Sequence, residues 1–188
     1  HRLDRALDIA VLQRSLNALV ARHESLRTTL APVQGRPVQV IAPSLEIPIE
    51  VVDLGDLNEA ESEKCGIERI VSSARKPFDL TRGPLLRVLV VQLAAGAQLL
   101  SVCIHHIISD RWSVGVLLRD LAELYRAELE NTEAALPSLP VQYADFAAWQ
   151  RGLAGSESFQ RQIAYWTKEL KDAPPILELP TDRARPAR

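Results

Sequence analysis

Apolar positions along the chain fall into two rhythms. Residues 9–23 place Ala10, Leu12, Leu16, Leu19 and Val20 near one face at helical spacing, and Asp8 precedes them as an N-cap. Residues 36–52 alternate and carry β-branched residues and prolines, which predicts two short strands. Leu57 to about Ala74 returns to helical spacing and stops before Pro77. Leu85–Leu93 and Gln98–Ile104 are apolar, β-branched runs joined by Ala94-Ala95-Gly96-Ala97, a hairpin signal. Ser113–Leu129 is an amphipathic helix with Leu117, Leu118, Leu121, Leu124 and Tyr125 on its apolar side. A proline-containing loop over 131–140 leads to helices near 142–153 and 157–171. Strands and helices mixed in this order predict an α+β domain, a mixed β-sheet packed with helices.

Composition changes this picture in three places. Lys and Arg number 22 against 24 Asp and Glu, a net charge of −2, so no basic field exists to hold nucleic acid or an anionic membrane. No apolar run is long enough to span a bilayer. Two cysteines, Cys65 and Cys103, form no CxxC pattern and suit a reducing, cytoplasmic setting. The sequence contains no methionine and opens on His1, so an internal segment of a larger protein is expected, with its start clipped. Residues 176–188 read as an extended linker.

The sharpest chemical feature is a strand running into His105 and His106, then Asp110, then a helix. Successive strand side chains point to opposite faces, so the two imidazoles diverge if the strand continues through them. Histidine moves protons near neutral pH, and a nearby carboxylate can orient an imidazole or anchor a loop. The residues alone leave other readings open: a packed histidine pair, and an Asp110 that only caps the next helix. A zinc site lacks the usual ligand spacing. Ser109 and Ser113 lack the glycines of a nucleophile elbow.

The segment Ile104-His105-His106-Ile107-Ile108-Ser109-Asp110-Arg111-Trp112-Ser113 resembles the HHxxxDG signature of condensation domains from nonribosomal peptide synthetases. Arg22-His23-Glu24-Ser25-Leu26-Arg27-Thr28 is similar to that family's RHExLRT. Pro77-Phe78-Asp79-Leu80 with Gly83-Pro84-Leu85-Leu86-Arg87 is similar to its PFDLxxGPLLR. Leu139-Pro140 through Trp149-Gln150 resembles LPxQYxDYAxWQ, and Tyr165-Trp166 through Asp182 also fits. Together these cover nearly the whole chain in the family's order.

The resemblance implies a chloramphenicol acetyltransferase-like lobe. Residues 1–175 would be the N-terminal lobe, and 176–188 would lead toward a missing C-terminal lobe. It implies an amide-forming acyltransferase joining two phosphopantetheine thioesters on donor and acceptor peptidyl carrier proteins, beside an adenylation domain. The donor would be L-configured. No cofactor or metal would be bound directly; the phosphopantetheine arm arrives on the carrier proteins. By the same analogy His106 is the key residue, as general base or as an anchor for the amine. His105 and Asp110 are structural, with Arg27 the first and Arg22 the second candidate partner for Asp110. His23 is packed or hydrogen-bonded, Trp112 and Ser113 seat the following helix, and Tyr143, Asp145 and Trp149 are structural.

The family's glycine after the motif aspartate is Arg111 here. Glycine would permit unusual backbone angles and close substrate approach, whereas arginine adds bulk and a charge beside the reaction channel and is expected to reduce or alter condensation. Two other functions compete: an inactive docking platform for carrier proteins, and an acyltransferase using coenzyme A. The segments Arg22–Thr28 and Tyr143–Gln150 speak against the latter and against epimerization. The two histidines speak against heterocyclization.

Overall fold

The computed structural model describes residues 1–3, 6–174, 176, 180 and 182–183. Two compact units make up the chain, His1–Asp145 and Phe146–Arg188. The linker expected over 176–188 lies almost wholly outside the described residues.

The first unit is built on a four-stranded sheet in the order β1-β6-β5-β4. Its strands are β1 (Arg2–Leu3), β4 (Ile49–Asp53), β5 (Leu86–Gln92) and β6 (Gln98–Ile104). β5 and β6 pair antiparallel from Leu86↔Ile104 to Gln92↔Gln98, as the hairpin signal predicts. β4 and β5 are parallel, from Ile49↔Val88 to Asp53↔Gln92. A parallel pair needs a long crossover, and helix α2 (Glu59–Arg75) supplies it. The two strands expected within 36–52 are β3 (Arg36–Ile41) and β4.

β5 reads as a continuous apolar run because both its faces are covered. Leu86 and Val88 pack with Leu16, Leu19 and Val20 of helix α1 (Ile9–Arg22) and Leu117 of helix α3 (Arg111–Glu130). Leu89 and Val91 form a second cluster with Leu93 and Leu99, against which Ile70 of α2 packs. Each such side chain contributes roughly 1.5–3 kcal/mol by leaving water. Local signals set the helix starts. Asp8 caps α1 by accepting from Val11 N at 3.0 Å, and Asn58 caps α2 by accepting from Glu61 N at 3.0 Å. Asn131 ends α3 in the left-handed conformation, φ 56°.

α2 approaches the sheet closely at Gly66. A Cβ there would lie 3.1 Å from Leu93 Cδ2, 3.1 Å from Leu99 Cδ1 and 3.4 Å from Val91 Cγ1. Gly66→Val is therefore expected to cost about 1–3 kcal/mol through overpacking. A lowered urea midpoint at an unchanged m-value would report it; an unchanged midpoint would show that α2 shifts freely.

Two strands were not expected from the sequence, the two-residue β1 and β2. β2 (Thr28–Val33) pairs with β3 from Thr28↔Ile41 to Val33↔Arg36. Pro32 and the mixed polarity of this stretch hide it. The signal that could have found it is Gln34-Gly35, whose φ values of 50° and 74° make a two-residue hairpin turn.

The second unit holds most of helix α4 (Tyr143–Ala154) and all of α5 (Glu157–Glu169), close to the predicted bounds. Ser156 caps α5, accepting from Phe159 N at 3.2 Å. Phe146 and Trp149 meet at 5.6 Å between ring centroids, a helical-spacing contact within α4.

Candidate active site

β6 ends at Ile104, and the chain turns before α3 begins. His105 still continues the ladder, its N–H donating to Leu85 O at 2.9 Å. The turn closes when Ile108 N donates to His105 O at 3.1 Å. The His105 ring is held twice. Its Nδ1 accepts from Ile107 N at 3.0 Å, which leaves the ring proton on Nε2 in the neutral form. Phe78 packs against it edge-on, with centroids 5.8 Å apart, and Arg87 covers Phe78 at 3.8 Å. His105 is thus a fixed part of the turn. His106 points elsewhere and is exposed. The divergence expected from strand geometry is present, although a turn and not a continuing strand produces it.

His106 lines two cavities. The larger, about 550 Å³, lies between the sheet and helices α1 and α3. Leu16, Leu19, Val88, Val102, Leu117 and Leu121 give it aliphatic walls, and His106, Ser109, Asp110 and Arg111 are its polar lining near the turn. The smaller, about 260 Å³, carries His23, Ser25, Ser109, Ser113 and Tyr143 as well as His106. No local pattern signals that His23, Ser25 and Tyr143 share a wall with His106, because they are far apart along the chain.

Asp110 is the N-cap of α3. It accepts from Ser113 N at 2.8 Å and from Ser113 Oγ at 2.7 Å. These backbone and side-chain hydrogen bonds, in that order, hold its carboxyl below the ordinary carboxylate range. Ser113 is thereby tied to the start of the helix by two hydrogen bonds. The Trp112 side chain is 83% exposed, while its backbone N–H also bonds to Asp110.

The arginine partners expected for Asp110 are engaged elsewhere. Arg27 donates to Ala42 O and, at 3.3 Å, to Glu24 Oε1, tying the turn after α1 to the end of β3. Arg22 donates from Nε to Asp120 Oδ2 at 3.1 Å and from NH2 to Pro137 O at 2.6 Å. For Arg22 the physical reason is Asp120, which no motif marks and which is wholly buried beside it. His23 Nε2 lies 3.0 Å from Asp120 Oδ2, and Arg119 NH2 lies 2.9 Å from Oδ1. His23 is therefore hydrogen-bonded, as expected. Gln142 extends the hub, donating to Arg22 O at 3.0 Å and accepting from Glu24 N at 3.1 Å. Nearby, Asp145 accepts from Gln142 N at 2.8 Å.

Arg111 is the first residue of α3, with no positive φ. The backbone freedom of glycine is not needed there. What changes is the side chain. It is exposed, lines the larger cavity, and has no hydrogen bond or ion pair among the described residues. Among the described residues, no three His, Cys, Asp or Glu side chains are grouped to hold a metal ion.

The family model described as "Condensation domain" matches residues 1–188. The chain belongs to the condensation-domain family. It is 45% identical over 186 residues to a linear gramicidin synthase from Brevibacillus parabrevis, covering 99% of this chain and 2% of that protein. It is 40% identical over 186 residues to phosphinothricin tripeptide synthetase PhsC of Streptomyces viridochromogenes, covering 99% of this chain and 17% of that one. Among solved structures, the X-domain from teicoplanin biosynthesis, in complex with OxyB, matches with a TM-score of 0.83 and 32% identity. That match covers 99% of this chain and 40% of the X-domain chain. The chain therefore spans a small part of its curated relatives and less than half of that neighbour. The fold of this condensation domain is the chloramphenicol acetyltransferase-like α+β lobe that the motifs implied. Among the described residues no helix is long and apolar enough to cross a membrane.

Proposed function

We propose that this domain forms a peptide bond between two aminoacyl or peptidyl thioesters, each held on the phosphopantetheine arm of a carrier protein. The observation that carries this reading is that His106 is a shared wall of two cavities. A two-substrate reaction needs both partners at one group, and confinement alone supplies much of the rate. The acceptor amine attacks the donor thioester carbonyl; the C–N bond forms, the C–S bond breaks, and the amine proton must leave. An imidazole suits that proton at neutral pH. His106 takes it or holds the amine in line, while His105 and Asp110 fix the turn that presents His106. No cofactor sits in the domain itself. Donor and acceptor carrier proteins, a C-terminal lobe and an adjacent adenylation domain are its partners, in the cytoplasm, where Cys65 and Cys103 stay reduced.

The test loads donor and acceptor carrier proteins, adds the full-length parent domain, and seeks the dipeptidyl thioester by mass spectrometry. Product is expected from the parent and none from residues 1–188 alone, because the second wall of the channel lies in the other lobe. The likeness to an X-domain solved with OxyB favours a second reading, a platform that recruits a partner without condensing anything. Carrier binding with no product from the parent would select that reading.

A further inference from the structure

Arg111 has no structural duty that the fold reveals. It begins α3, where a cation faces the positive end of the helix and gains nothing from it. Its backbone is ordinary, and its guanidinium is unpaired among the described residues. The neighbouring carboxylate, Asp110, is already engaged by Ser113. Yet Arg111 lines the larger cavity beside His106, where the other walls are mostly aliphatic. A substrate group in that cavity would meet apolar surface and, near the reacting centre, a free planar cation able to grip a carboxylate with two parallel hydrogen bonds.

We infer that Arg111 is a specificity-determining residue, and that this domain selects an aminoacyl substrate with an acidic side chain of aspartyl or glutamyl type. The inference rests on the condensation reading. The methylenes of such a side chain would lie against the aliphatic wall, and its carboxylate would meet Arg111. Arg111 and His106 both line this cavity, and Arg111 also lines a second one along α3 with Gly115 and Arg119. Selectivity would come from the charge, since glutamate and glutamine have nearly the same shape. An amide cannot pair with the guanidinium through two acceptor oxygens.

The experiment uses the full-length parent domain with carrier proteins loaded with glutamate or glutamine, first in the donor position and then in the acceptor position. Initial rates are compared within each pair. The parent is expected to prefer glutamate about twofold to fivefold in one position, the range of a partly exposed ion pair. Arg111→Gln should bring that preference to about one, and Arg111→Lys should restore part of it. Arg36→Gln, on the β2–β3 hairpin, should leave it unchanged. Equal rates for glutamate and glutamine in both positions would overturn the inference while leaving condensation intact. An Arg111→Gln variant slowed equally with both residues would overturn it too, assigning Arg111 instead to an anion common to all substrates, such as the phosphate of the arm. No product from any pair would defeat the condensation reading itself.

Discussion

His106→Ala in the full-length domain is expected to lower the rate of peptide-bond formation at least about 100-fold. A positioned proton acceptor contributes roughly 10²–10⁴-fold. The loss should be specific to chemistry. His106 is exposed and its side chain is not part of the packed core, so folding should survive its truncation. Carrier-protein binding should persist as well, because the imidazole lines the cavities. His105 should behave differently. It accepts from Ile107 N and packs against Phe78, so His105→Ala is expected to loosen the turn and lower stability together with activity. An active His106→Ala domain would remove His106 from the reaction and leave confinement as the main source of rate.

Asp120→Ala is expected to produce the greatest loss of stability in the first unit, about 3–5 kcal/mol, because it leaves the largely buried Arg22 guanidinium without its counter-charge and His23 without its acceptor. Asp120 is 0% exposed and receives hydrogen bonds from Arg22, His23 and Arg119. Burial alone would raise its pKa. The hydrogen bonds from Arg119, His23 and Arg22 outweigh it, and the net direction is down. A carboxyl held below its ordinary value in the fold stabilises the protein at pH above the ordinary carboxylate range. That contribution is lost as pH falls through the range. The urea midpoint should therefore drop in Asp120→Ala at neutral pH, and the gap from wild type should narrow in acid. A gap that stays constant with pH would show that packing, not charge, is what Asp120 supplies. Because the hub joins the end of α1, α3 and Gln142, the same variant should also disturb His23 and so the wall of the smaller cavity.

Local chemistry made much of the fold legible beforehand. Helices α1 and α2 announce themselves by apolar spacing, and α1 also by Asp8 at its start, which does cap it. The β5–β6 hairpin follows from two apolar runs around a short turn, and the pairing is in register along its length. The strand β2 escaped because Pro32 and Thr28-Thr29 do not alternate cleanly, and its stability comes from pairing with β3. The site was legible only in outline. The motif singled out His106 over His105, and the turn does separate them. The expected pairing of Asp110 with Arg27 or Arg22 was wrong because an arginine's choice of partner depends on which carboxylate is buried beside it. Asp120 stands 98 positions from Arg22 along the chain, and only packing of α1 on α3 brings them together.

The family, the order of elements, and the strand–turn–helix unit that carries His105, His106 and Asp110 were all written in the order of residues. These features depend on neighbours within a few positions, where spacing and capping act directly. What surrounds that unit came from the folded chain. Packing placed His106 between two cavities and buried Asp120 among its cations. It also set Arg111 in an ordinary helical position, its side chain unpaired among the described residues. Those outcomes arise from burial and from contacts between distant segments, which no local pattern of residues encodes.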